Sequence, residues 1–121
     1  MKLTNQQIYD ATIKLASFNI EGKLPIKINF FLQKNIQTLA AAGQEIEEAR
    51  LGVAREYGVL NEEGTQYIIP PEKIPLAQKE IDDLFSLEQD LNIHIFKLDD
   101  FDNIALTYQQ LSVIMFMIEE W

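Results

Sequence analysis

Apolar residues recur at three- and four-residue steps over most of this chain, and the breaks in that period divide it into elements. Thr4-Asn5-Gln6-Gln7 has the form of a capping box, a hydroxyl at the cap with an amide side chain three residues on. Behind it Ile8, Ala11, Thr12, Leu15, Ala16 and Phe18 share one face, which predicts a first helix over about 5–18. Asn19-Ile20-Glu21-Gly22-Lys23-Leu24 reads as a connection with Gly22 as its flexible point. Pro25 suits the first turn of a second helix, where a missing N–H costs nothing.

The second helix is expected to be long. Leu32, Ile36, Leu39, Gly43, Ile46, Arg50, Val53 and Tyr57 alternate steps of four and three, a heptad seam in which Gly43 and Arg50 are poor members. A helix over 25–57 would extend roughly 50 Å, longer than a chain of this size is usually wide. It must protrude, bend near Ala40-Ala41-Ala42-Gly43, or pack along a second subunit. The seam is covered either by the first and last helices of the same chain or by a partner helix. A first helix of about 14 residues is too short to cover 33, which favours a homo-oligomer with Leu32, Ile36, Leu39, Ile46, Val53 and Tyr57 at its interface. Gly58 is expected to stop the helix as a left-handed C-cap.

Beyond it, Asn61-Glu62-Glu63-Gly64 reads as a turn and Thr65–Ile69 as a short strand stopped by Pro70-Pro71. A third helix over about 75–89 carries Leu76, Ile81, Leu84, Phe85 and Glu88. Leu91–Leu98 alternates like a strand, Asp99–Asn103 is an acidic loop, and Ile104-Ala105-Leu106 suggests a brief third strand. Thr107-Tyr108-Gln109-Gln110 repeats the capping box and opens a last helix over about 108–119, with Leu111, Ile114, Met115 and Ile118 on one face. The expected class is α+β and helix-dominated. One domain over 1–121 holds a long central helix, a C-terminal helix and a small two- or three-stranded sheet.

Hydrophobic residues make up 47% of the 121, enough for a core without metals or staples. The absence of cysteine excludes disulfides, thiolate metal sites and thiol nucleophiles. No basic-then-apolar leader opens the sequence, and the longest apolar run, Val113–Ile118, is six residues where a bilayer needs about 20. Neither export nor a membrane is expected. A net charge of −9 argues against non-specific binding to nucleic acid. That charge is unevenly placed: Met1–Thr38 carries five lysines against Asp10 and Glu21, while the remainder has five basic and 17 acidic residues.

The chemistry-bearing residues are sparse. His94 is the single histidine, and none of Ser17, Ser86 or Ser112 sits in a glycine elbow, so a catalytic triad is not expected. Five scattered glycines form no phosphate-binding loop. Asp99–Asn103 fails the calcium-loop pattern, since counting from Asp100 the sixth position is Ala105 and the twelfth Leu111. Glu45 and Glu48 lack the histidines of carboxylate-bridged metal helices, and Glu47 is placed to pair with Arg50. No metal, no cofactor and no enzymatic activity are expected.

Lys23, Lys27, Phe30 and Lys34 fall on one face if the second helix reaches back that far. Lysines near a helix N-terminus oppose its dipole, and an anion or an acidic partner surface would relieve that mismatch. Alternatively, their stems simply cover apolar surface with the ammonium groups in water. The first reading makes Lys23, Lys27 and Lys34, with Phe30 or Phe31 stacking, the candidate ligand site.

Lys23-Leu24-Pro25-Ile26-Lys27-Ile28, Glu45-Ile46-Glu47-Glu48-Ala49-Arg50 and Glu56-Tyr57-Gly58 resemble an uncharacterised family of small proteins of bacteriophages and prophages of Gram-positive bacteria. Leu106-Thr107 and Phe116-Met117-Ile118-Glu119-Glu120 are similar to it as well. The resemblance spans most of the chain and implies a setting rather than a chemistry: it assigns no activity and carries over no functional residue. It implies a phage accessory protein that acts in the host cytoplasm or assembles into a virion. Taken with the missing catalytic groups and the divided charge, that setting makes the expected function a non-enzymatic binding protein that sequesters or inhibits a host factor, either a protein or a small anionic or nucleotide signal. The alternative is a virion-assembly or tail-associated component.

Overall fold

The computed structural model describes residues 1–18, 24–102 and 104–119. In chain order the elements are β1 (Lys2–Thr4), α1 (Asn5–Ala16), α2 (Ile26–Tyr57), β2 (Val59–Leu60), β3 (Tyr67–Ile68), α3 (Ile74–Ser86), β4 (Glu88–Asp90) and α4 (Tyr108–Ile114). Single 3₁₀ turns cover Pro71–Lys73, Leu98–Phe101 and Met115–Met117. The fold is α+β, dominated by α2, with two separate two-stranded antiparallel sheets.

Both capping boxes form. Gln7 N–H donates to Thr4 Oγ1 at 3.1 Å while Thr4 N–H donates to Gln7 Oε1 at 2.8 Å. Gln110 and Thr107 repeat the exchange at 3.1 and 3.0 Å. Each pair satisfies two backbone donors that the first turn leaves over, which is why these sequences start helices.

Three different segments of the same chain share the length of α2. Around its middle α1 crosses so closely that a Cβ on Gly43 would stand 2.8 Å from Thr12 Cγ2. Tyr9 Oη also donates to Glu47 Oε2 at 3.1 Å there, and Arg50 closes on the same carboxylate with Nε at 3.0 Å. Toward its C-terminal end α3 packs on it, and Tyr57 Oη donates to Glu80 Oε1 at 3.0 Å. Along its N-terminal half the extended segment after β4 lies against it. Leu32, Leu39 and Ile46 are buried with Ile8, Leu15, Ile93, Phe96, Ile114 and Met117 in one cluster. Val53 is buried too, and Ile36 and Tyr57 are half-buried. The stripe expected to lie between subunits is therefore covered within a single copy. The shortness of α1 calls for no second copy, because the segment around His94 and α3 cover the stretches that α1 does not reach.

Other expectations are corrected. Gly58 is not left-handed: its backbone is extended (φ −95°, ψ 164°), and an added Cβ would collide with the Ala54 carbonyl oxygen. Helix α3 stops at Ser86, and Glu88–Asp90 pairs with β1 in the register Lys2–Asp90, Leu3–Gln89, Thr4–Glu88. Leu76, expected on the apolar face of α3, is exposed, whereas Ala77 is buried. Leu91–Leu98 is no strand. Leu91 extends the β1–β4 pairing by exchanging two 2.8 Å bonds with Met1, and further on Phe96 bridges to the C-terminal segment, donating to Met117 O and accepting from Glu119 N–H, both at 2.7 Å. Ile93 and Phe96 point inward, a step of three instead of two. Residues 104–106 make local turn bonds, Ile104 N–H to Phe101 O and Leu106 N–H to Ile104 O, each 3.1 Å. The last helix tightens after Ile114, leaving Ile118 extended so that it can meet Phe96. The strand expected at 65–69 shrinks to Tyr67–Ile68 and pairs with Val59–Leu60, which periodicity had not marked.

Candidate functional site

Asn35 is the polar member of the buried face of α2, following Leu32 by three residues and preceding Leu39 by four. Its side chain is 1% exposed, so both ends of the amide must find partners. They find the backbone of His94: Nδ2 donates to the His94 carbonyl at 2.9 Å, and Oδ1 accepts the His94 N–H at 2.8 Å. A helix side chain here does what a neighbouring strand would otherwise do. That explains why a segment with strand-like composition needs no sheet.

The clasp fixes where the imidazole stands. The His94 ring stacks on Phe31, centroids 4.1 Å apart and planes 12° from parallel, and meets Phe96 edge-on at 4.8 Å. Phe30 meets Phe31 edge-on at 5.3 Å, and the Lys34 ammonium lies 5.3 Å from the Phe30 ring centroid. These groups border an open groove of about 380 Å³, with Phe31, Lys34, Asn35 and Thr38 on the α2 side and Asn92 and His94 opposite. It offers an aromatic pair, a cation, and hydroxyl and amide groups. Such groups are chemically able to stack on a planar ring and to form charge-assisted hydrogen bonds with an anion.

Of the residues expected to bind a ligand, the structure brings Phe31 and Lys34 to this groove and leaves Phe30 on its shoulder, engaged with both. Lys27 is exposed one turn earlier, with no hydrogen bond or ion pair among the described residues. Lys23 lies outside the described residues. One face of Phe31 is already taken by His94, so a stacked guest would use the exposed imidazole rather than Phe31 itself. His94, Asn92 and Thr38 were not anticipated, because they meet α2 only through the tertiary fold. The available signal was Asn35, a polar residue in the buried helical phase, which demands a polar partner from elsewhere.

Elsewhere, two carboxylates are held in ion pairs. The Arg50 guanidinium holds Glu47 below the ordinary carboxylate value; burial opposes this, and the Tyr9 hydroxyl adds a lesser lowering. The terminal ammonium of Met1, 2.9 Å from Asp90, lowers Asp90 in the same way. Among the described residues no group of three His, Asp or Glu side chains could hold a metal ion, and no helix is long and apolar enough to cross a membrane.

No family model, curated protein or solved structure matches this chain.

Proposed function

We propose that this is a non-enzymatic binding protein whose groove takes up a small anion bearing a planar ring, of the nucleotide class, and withholds it from other proteins. One observation carries the reading. A buried asparagine is committed to placing His94 on Phe31, beside Lys34 and at the rim of an open groove. A core amide could be satisfied more simply within a helix bundle, and here its two bonds instead fix an exposed ring. On the resemblance described above, the setting is an infected bacterial cell and the ligand a host signal.

Titration calorimetry against nucleoside mono- and diphosphates, cyclic nucleotides and inorganic polyphosphate tests this. Binding of one member is expected, weakened roughly tenfold or more by His94→Ala through lost stacking. Weakening by Lys34→Ala is expected to be strongly salt-dependent. Silence with every compound, or equal binding by both variants, would refute it. Mass spectrometry of purified phage particles separates the virion alternative: a sequestering protein is expected to be absent from them.

A further inference from the structure

The two ends of α2 carry exposed apolar surface of opposite charge. At the C-terminal end the hairpin β2–β3 turns through Gly64 (φ +70°) and pairs Val59 with Ile68 and Leu60 with Tyr67. All four side chains are exposed, Val59 at 60%, Ile68 at 58%, Leu60 at 50% and Tyr67 at 39%. A two-stranded ribbon that leans on α2 mainly through β3 is marginal by itself, and exposed apolar patches of this kind mark contact sites. The stretch 45–73 that surrounds it carries seven acidic residues and three basic ones.

At the other end Ile26 is 88% exposed and Phe30, one turn on, is 56% exposed. Residues 26–44 hold Lys27 and Lys34 and no acidic residue. Two hairpins meeting with their turns side by side would bring Glu62 and Glu63 of both copies together, like charge against like. An acidic apolar ribbon is complemented instead by a basic apolar ridge. The chain has one, but α2 itself holds the two apart by roughly 48 Å, so no copy can satisfy its own hairpin.

We infer that the protein associates head to tail with a second copy of itself, the hairpin of one seated on the Ile26–Phe30 ridge of the next. The contact is heterologous, so it repeats into rings or open chains. The ridge adjoins the ligand groove, since Lys34 lines that groove and Phe30 packs on Phe31 and Lys34 at its edge. Association is therefore read in the absence of any ligand, so that its outcome does not depend on the proposed one.

Light scattering coupled to size exclusion, over concentrations up to the millimolar range and from low to molar salt, reads the association. The wild type is expected to exceed 14.0 kDa at high concentration and to fall toward it with salt. Val59→Asp/Ile68→Asp removes the hairpin surface and Ile26→Asp/Phe30→Ser removes the ridge; each alone is expected to remain a monomer. Mixed, the two variants each keep one intact surface and should form a species of twice the monomer mass and nothing larger. Leu60→Lys replaces the hairpin variant if circular dichroism shows that the double change has cost the fold. The inference is overturned by a wild type that stays monomeric throughout or an assembly indifferent to salt. Self-association of either variant alone, or a mixture that stays monomeric, overturns it equally.

Discussion

Asn35 and His94, 59 residues apart, are joined by two hydrogen bonds between a side-chain amide and a backbone amide, 2.9 and 2.8 Å long. Removing the side chain leaves a backbone donor and acceptor to find water or go unpaired, at about 1–3 kcal/mol for each unpaired group. Asn35→Ala is expected to lower the urea midpoint with little change in slope, by the equivalent of about 2 kcal/mol or more. It should also weaken any groove ligand, since nothing then holds the imidazole against Phe31. A midpoint equal to the wild type would show that the clasp contributes nothing.

Two glycines of α2 should respond oppositely to alanine. Gly52 has no atom within 4 Å of an added Cβ, so Gly52→Ala is expected to gain roughly 0.5–1 kcal/mol from helix propensity. At Gly43 the same Cβ meets the Thr12 methyl, and Thr12 is tethered by its hydroxyl to the Tyr9 carbonyl at 2.7 Å. Gly43→Ala should destabilise by about 1–3 kcal/mol through overpacking. Combining it with Thr12→Ser, which deletes that methyl, should recover most of the loss. Thermal or urea melts of Gly52→Ala, Gly43→Ala, Thr12→Ser and the Gly43→Ala/Thr12→Ser pair decide it, and additive effects at Gly43 and Thr12 would disprove the close crossing.

Because the α2 stripe is internal, core truncation should act on folding rather than assembly. Leu39→Ala is expected to cost about 2–5 kcal/mol, and Ile46→Asp should unfold the chain by burying an unpaired charge. If circular dichroism found Ile46→Asp fully folded while light scattering showed only a lost oligomer, the stripe would lie between copies after all.

Glu47 gives an acid-side signature. Its carboxylate is held below the ordinary value of 4.5 by Arg50, so the folded state binds that proton less readily than the unfolded state. The stabilisation is complete above the ordinary value and is lost as pH falls through the lowered one. Glu47→Gln should therefore cost stability at neutral pH and flatten the decline as pH falls below the ordinary carboxylate value. Parallel wild-type and variant profiles of urea midpoint against pH would exclude the effect.

Local chemistry was legible in the residues. The two capping boxes, Pro25 at the head of α2, the 3.5-residue apolar period of α2, and the Glu47–Arg50 pair depend on neighbours three or four positions away. Their geometry follows from helix pitch. The strand at 91–98 and the brief one at 104–106 misread composition as pairing. Whether an extended segment joins a sheet depends on what lies beside it, and here that neighbour is a helix side chain.

By itself, then, the sequence determined where helices start, which of their faces are apolar, and that the charge is divided between Met1–Thr38 and the remainder. These are properties of contiguous residues and of their fixed rise and rotation. Only the tertiary structure decided that the long stripe is closed by three segments of one chain, that Glu88–Asp90 pairs with the N-terminal strand, and that His94 is set on Phe31. Each is a contact between residues far apart in sequence. Such a contact is selected by total burial and by hydrogen-bond satisfaction over the whole chain, and no window of neighbouring residues contains that information.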